Sequence, residues 1–224
     1  MKSPRIPGFN RLARLWWETK FYWTPRRWTM PLSDIVIDRP VFLLGTQSGG
    51  LTILSRILRR HSSAVSCSGN ADWWAGRDEL QNVRYLNLPS AFRLGRLADR
   101  YKMFGKNRLP DHPEFGPVRN FTYACDELVG FYRKTEQDYT PEIQQGLEKT
   151  IKQCIRAYAR DVRQCRFIDK SQSYTLKIPL LRRCLSRPKF ILVARNPFAL
   201  CARYRQPQGT DAQWRRPPGI ERKW

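Results

Sequence analysis

Residues Pro40 to His61, P-V-F-L-L-G-T-Q-S-G-G-L-T-I-L-S-R-I-L-R-R-H, decide the fold. Val41 to Leu44 is an unbroken apolar run of strand length. Gly45 to Gly50 reads as a glycine-rich turn, and Leu51, Leu54, Ile57 and Leu58 then recur at helical spacing. A strand, a glycine turn and a helix N-terminus aim several backbone N–H groups at one point, which suits a phosphate or sulfate group. Gly49 and Gly50 let the backbone approach an anion closely and allow positive φ. An ordinary βα turn carries the same pattern, so this stretch alone leaves both readings open. The nucleotide-triphosphatase signature G-x-x-x-x-G-K-[ST] is not met, because Gly50 is followed by Leu51 and Thr52. A kinase or ATPase would therefore lack its phosphate-clamping lysine.

Working outward, Asp34 to Leu44 is expected to supply the first core strand and Ala64 to Cys67 a short second one. Leu147, Ile151, Ile155, Tyr158 and Val162 keep a helical period, so the spacing predicts an amphipathic helix from Pro141 to about Gln164. Arg166 to Asp169 reads as a strand, Thr175 to Leu185 as a helix and Lys189 to Ala194 as a buried-type strand. Pro197 opens a further helix at its favoured first position. Strands alternating with helices imply an α/β domain with a central parallel sheet flanked by helices. Residues 70–145 carry loop punctuation and no readable motif. The expected organisation is a basic aromatic arm over 1–32, the α/β domain over 33–204 and a disordered basic tail over 205–224.

The net charge of +22, from 41 Lys+Arg against 19 Asp+Glu, calls for a polyanionic partner, an anionic ligand or a membrane surface. Six cysteines show no C-x-x-C and no metal spacing with the two histidines, and are expected to be reduced core thiols. No apolar run approaches the ~20 residues needed to span a bilayer. Arg11, Arg14, Glu18 and Lys20 break any signal-peptide core, so a cytoplasmic protein is expected. In the arm, Trp16, Trp17, Trp23 and Trp28 interleave with Arg and Lys. That pattern suits an arm packed over the domain, and it also suits peripheral contact with a membrane interface.

Two later segments sharpen the loop signal: F-I-D-K-S-Q-S-Y-T-L-K-I-P-L-L (Phe167 to Leu181) and K-F-I-L-V-A-R-N-P-F-A-L-C-A-R (Lys189 to Arg203). Arg195 sits where a core strand ends, the edge at which open α/β sheets bind ligands. Its guanidinium fork suits a phosphate, and a solvated arginine capping a strand has the same pattern. Together the pieces resemble the sulfotransferase family that uses 3′-phosphoadenosine-5′-phosphosulfate (PAPS), especially its bacterial members. The family's G-T-x-R-S-G-T-T-L-like loop matches Gly45 to Leu54, and its E-K-[ST]-P-like segment matches Asp169-Lys170-Ser171. Its R-[DN]-P strand end matches Arg195-Asn196-Pro197.

The resemblance implies a three-layer P-loop-like fold, no metal, and sulfuryl transfer from PAPS to an acceptor hydroxyl or amine. It implies donor binding by Gln47, Ser48, Gly49, Gly50, Leu51 and Thr52, with Arg195 and Arg203 on the 3′-phosphate. Ser48 stands where the family has a loop Arg or Lys, and Arg203 where it has a serine. Arg56, Arg59 and Arg60 are the next cations along the chain. The acceptor, whether carbohydrate, lipid or small molecule, is not named by any motif. His112, Glu79 and Glu127 are the candidates for its base, beside Asp126, and Trp73 and Trp74 for its pocket. Two alternatives stand beside an active enzyme: an inactive homologue that binds PAP or PAPS, and a basic polyanion- or nucleic-acid-binding protein. No zinc-finger, helix-turn-helix or RNA-binding signature points to a specific nucleic acid.

Overall fold

The computed structural model describes residues 19–46, 49–69, 78–83, 87–93, 129–130 and 132–199. In chain order the main elements are β1 (Val41–Gly45), α1 (Leu51–Leu58), β2 (Ala64–Val65), α2 (Pro141–Tyr158), β3 (Arg166–Asp169), α3 (Ile178–Cys184) and β4 (Lys189–Val193). The four strands form one sheet in the order β2-β3-β1-β4, and every pairing is parallel. β1 is therefore internal, and all five of its residues are buried. That explains its unbroken apolar run, since a parallel strand covered on both faces has no wet side to mark with polar residues.

Alternation along β1 divides the core. Phe42 and Leu44 join Val65 and Phe167 against Leu147, Ile151 and Ile155 of α2 and Leu180 and Leu181 of α3. Val41 and Leu43 join Ala64 and Ile168 on the other face, under Leu51, Leu54 and Leu58 of α1. The result is an α/β domain with helices on both sides of a parallel sheet.

Several boundaries differ from the sequence expectation. The first strand starts at Val41 rather than Asp34, because Leu32–Asp34 is a 3₁₀ turn and Arg39 takes a left-handed φ of 40°. The second strand stops at Val65, and the chain turns at Ser66, whose carbonyl accepts from Gly69 N–H at 3.0 Å.

α2 ends at Tyr158, not near Gln164: Ala159 is extended, and the Arg26 guanidinium donates to the carbonyls of Ala159 at 2.6 Å and Arg160 at 3.1 Å. Those bonds satisfy carbonyls that a longer helix would have used, and Val162 reaches the core from a turn instead. Residues Gln172–Lys177 are 3₁₀ rather than α-helical, and α3 begins with Pro179 in its first turn.

β4 runs from Lys189 to Val193, but it is not buried on both faces, and Leu192 is 68% exposed. It pairs with β1 alone among the described strands. Residues 197–199 are helical, starting at Pro197 as expected. Cys67, Cys154, Cys165 and Cys184 are in the reduced thiol form, and burial raises all four above the ordinary thiol range.

The described part of the arm lies against α2. Arg156 of α2 donates to the Met30 carbonyl at 3.3 Å, reciprocating the Arg26 bonds, and Phe21 is buried in the main core.

Candidate functional site

Because β3 and β4 are the two neighbours of β1 and all three run parallel, their C-terminal ends share one sheet edge. The pairing Gly45↔Val193 and Phe42↔Asp169 sets the register. Neighbouring strands lie ~4.8 Å apart. Thr46, Lys170 and Arg195, far apart in sequence, thus follow adjacent strand ends.

Backbone geometry shapes the turn after β1. Gly45 has φ 150°, and a Cβ there would lie 2.5 Å from the Val193 carbonyl oxygen, so only glycine fits. Its N–H donates to Thr175 Oγ1 at 3.2 Å. Gly49 N–H donates to the Thr46 carbonyl at 3.1 Å, closing a four-residue turn. Gly50 then caps α1 in the left-handed region at φ 105°, with open space where a side chain would project. No side chain caps the helix, so its first-turn N–H groups and positive dipole end face this edge.

Lys170 is the cation at that helix end. Its Nζ lies 3.4 Å from Thr52 Oγ1, 2.7 Å from Glu79 Oε1 and 3.4 Å from Asp78 Oδ1. Burial works against its charge, and the carboxylates of Asp78 and Glu79 more than offset that, leaving the ammonium raised above the usual lysine range. Glu79 is held on its other oxygen by the side-chain amides of Gln81, at 3.0 Å, and Asn82. Asp78 is fully buried: Ser55 of α1 donates to it, and Arg59 approaches it at 3.8 Å.

The segment 78–82 is zipped to the chain after β3. Lys170 N–H donates to the Asp78 carbonyl at 3.0 Å and Gln81 N–H to Ser171 Oγ at 3.1 Å. Ser173 donates to Gln81 Oε1 from its backbone at 3.2 Å and its hydroxyl at 2.8 Å. Asp169 accepts from Leu80 N–H at 2.7 Å and from Ser171 N–H at 3.0 Å. Burial lifts Asp169 to about 7 despite those bonds, which favour its charged form.

Of the residues singled out in the sequence, Gly49, Gly50, Leu51, Thr52 and Glu79 come together here. Arg195 lies two residues beyond β4 at the same edge and is exposed. Gln47, Ser48, Arg203, His112, Glu127, Asp126, Trp73 and Trp74 lie outside the described residues. Arg59 does not reach the glycine turn: it points to Asp78 and, at 3.5 Å, to the Gly69 carbonyl. Arg56 and Arg60 are exposed.

Sequence reasoning missed the charge role of Lys170 and the whole of the Asp78 cluster. Lys170 stood inside a matched motif, which was the available signal; nothing marked Asp78. Among the described residues no group of three or more His, Cys, Asp or Glu is placed to hold a metal ion, and no helix is long and apolar enough to cross a membrane. Comparison with protein-family models, curated proteins and solved structures found no significant match.

Proposed function

We propose that the chain transfers a sulfuryl group from PAPS to an acceptor hydroxyl or amine, on a P-loop-like α/β fold. One observation carries the reading: Lys170 sits between Glu79 and Thr52 at the N-terminus of α1, beside the glycine turn. A cation, a carboxylate and a helix dipole meeting at one sheet edge supply what sulfuryl transfer asks of a protein.

In this reading Glu79 takes the proton from the acceptor as its oxygen or nitrogen attacks sulfur. The sulfur–oxygen bond to the donor phosphate breaks, and its electron pair remains on that phosphate. Lys170 and the first-turn N–H groups of α1 stabilise the charge that collects there. Thr52 is the replaceable partner of Lys170, because a hydroxyl can rotate away when a phosphate oxygen arrives. Arg195 and Arg203 grip the 3′-phosphate.

A second reading, a PAP- or PAPS-binding protein with little turnover, also has support. Asp78 and Glu79 already balance the charges of Lys170 and Arg59, so the site offers little net positive charge of its own. A cell-extract screen with labelled PAPS separates the two by whether sulfate is transferred.

Binding is tested by thermal shift with PAP against adenosine 5′-phosphate, on wild type and Lys170→Gln. Preference for PAP, weakened in the variant, supports the site. Equal responses to the two nucleotides, or an unchanged PAP response in Lys170→Gln, overturn it. A steeply salt-dependent response to any nucleic acid, without preference for PAP, would instead favour polyanion binding.

A further inference from the structure

We propose that Asp169 is a positioning residue whose carboxylate clamps the segment carrying Glu79 to the segment carrying Lys170, so that base and cation are in register when it is ionised. Its catalytic meaning rests on the sulfuryl-transfer reading; the clamp itself does not.

The two oxygens of Asp169 serve one segment each. Oδ1 accepts from Leu80 N–H at 2.7 Å, one residue after Glu79, and Oδ2 accepts from Ser171 N–H at 3.0 Å, one residue after Lys170. A single side chain thus fixes the backbone directly adjoining both partners of the 2.7 Å contact. Both of these donors are backbone N–H groups, which cannot turn to suit a changed partner, and the Ser171 hydroxyl adds a side-chain bond to the same carboxylate. An ionised carboxylate satisfies both, as an acceptor-only group with two equivalent oxygens. A protonated carboxyl presents an O–H to one of them and loses part of the clamp.

The surroundings make that choice responsive to pH. Asp169 is buried, and the groups facing it are the thiol of Cys67 after β2, the thiol of Cys154 on α2, the phenol of Tyr174, the hydroxyl of Ser171 and the carboxylate of Glu79. None of these supplies positive charge, and the cation next along the chain, Lys170, is turned to Asp78 and Glu79. Burial therefore sets the ionisation near neutrality rather than in the ordinary carboxylate range.

Backbone amide chemical shifts of Leu80 and Ser171, followed by NMR from pH 5 to 9, test the clamp in the wild-type protein. The expected result is a joint downfield movement with one shared inflection. Asp169→Asn should abolish that inflection, because its amide N–H₂ would face one of the two donors. In PAPS transfer, kcat should rise through the same inflection while KM for PAPS changes less than about threefold. Asp169→Asn should lower kcat roughly tenfold to a hundredfold, as expected for a misplaced catalytic group.

Separate inflections for the two amides, or a titration that persists in Asp169→Asn, would overturn the proposal. If no transfer is detected at any pH while the two amides still titrate together, the clamp stands and the sulfuryl-transfer reading fails. Should Asp169→Asn not fold, the wild-type titration alone decides.

Discussion

Arg59 and Asp78 form an ion pair at 3.8 Å with both side chains buried, tying the C-terminal end of α1 to the segment that carries Glu79. The same carboxylate faces Lys170 and accepts from Ser55. One buried carboxylate thus answers two buried cations.

Asp78→Ala should therefore be severe. Removing one member of a buried charge cluster leaves its partners uncompensated, at a cost on the order of 3–5 kcal/mol. Urea unfolding measures it, and a loss under about 1 kcal/mol would show that water already solvates Arg59 and Lys170. Replacing Arg59 and Asp78 together by Met and Leu should cost less than Asp78→Ala alone.

Gly45→Ala and Gly50→Ala separate two kinds of glycine requirement. Both positions have positive φ, but a Cβ at Gly45 meets the Val193 carbonyl at 2.5 Å, whereas at Gly50 it meets nothing within 4 Å. Gly45→Ala must push β4 aside and should be clearly the less stable variant, by roughly 1–3 kcal/mol more. It should also weaken PAP binding, since Arg195 follows β4. Equal destabilisation of the two variants would point to backbone strain alone.

Lys177 is buried between the rings of Tyr132 and Tyr174, at 5.8 and 5.7 Å, and burial, with the charge of Lys134 adding to it, lowers its ammonium to about 7. The unfolded chain then binds more protons between about 7 and 10.5, so this group makes stability rise with pH across that window. Asp169 works in the opposite sense: its folded value of about 7 lies above its unfolded value of 3.8, and stability falls as pH rises between them. Lys177→Met should raise the urea midpoint at pH 6 and lose that advantage towards pH 10. An unchanged difference across pH would show that Lys177 does not titrate in this window.

If the chain transfers sulfuryl from PAPS as proposed, Ser48→Lys should raise turnover, because it places a positive charge at the loop position that the sulfotransferases it resembles fill with Arg or Lys. Removing a well-placed stabilising donor typically costs a hundredfold to a thousandfold, which bounds the gain at about that size. The effect belongs in kcat rather than in acceptor affinity. No gain would mean that Lys170 already supplies the needed charge.

What the sequence made legible follows from how local each signal is. β1 and α1 could be read because an apolar run, a glycine turn and a helical period all lie within 22 residues. The start of α2 at Pro141 was legible from the helical period, and in the structure the Thr140 hydroxyl caps it by accepting from Ile143 N–H. Its end was not legible, because Val162 keeps the helical period while the terminating bonds come from Arg26. β4 read as buried because an apolar run carries no information about which strand lies at an edge. The pairing of Lys170 with Thr52, 118 residues away, depends on β3 lying beside β1, a fact of sheet order that no local pattern encodes. Glu79 stood in a stretch without period, so its place among the candidates rested on residue type alone.

Among the described residues β4 has a strand on one side only, and this has a consequence for handling the protein. β4 carries Leu192 on one side of the sheet and Ile191 on the other, both exposed, and Phe198 just beyond is 72% exposed. Its outer row of amides and carbonyls faces away from β1, and an apolar edge that no other described strand pairs invites another chain to add itself as the next strand. Repulsion from the +22 charge opposes that step at low ionic strength, and salt screens it. Concentrated samples should therefore stay clear in dilute buffer and cloud as salt is added, the reverse of ordinary salting-in.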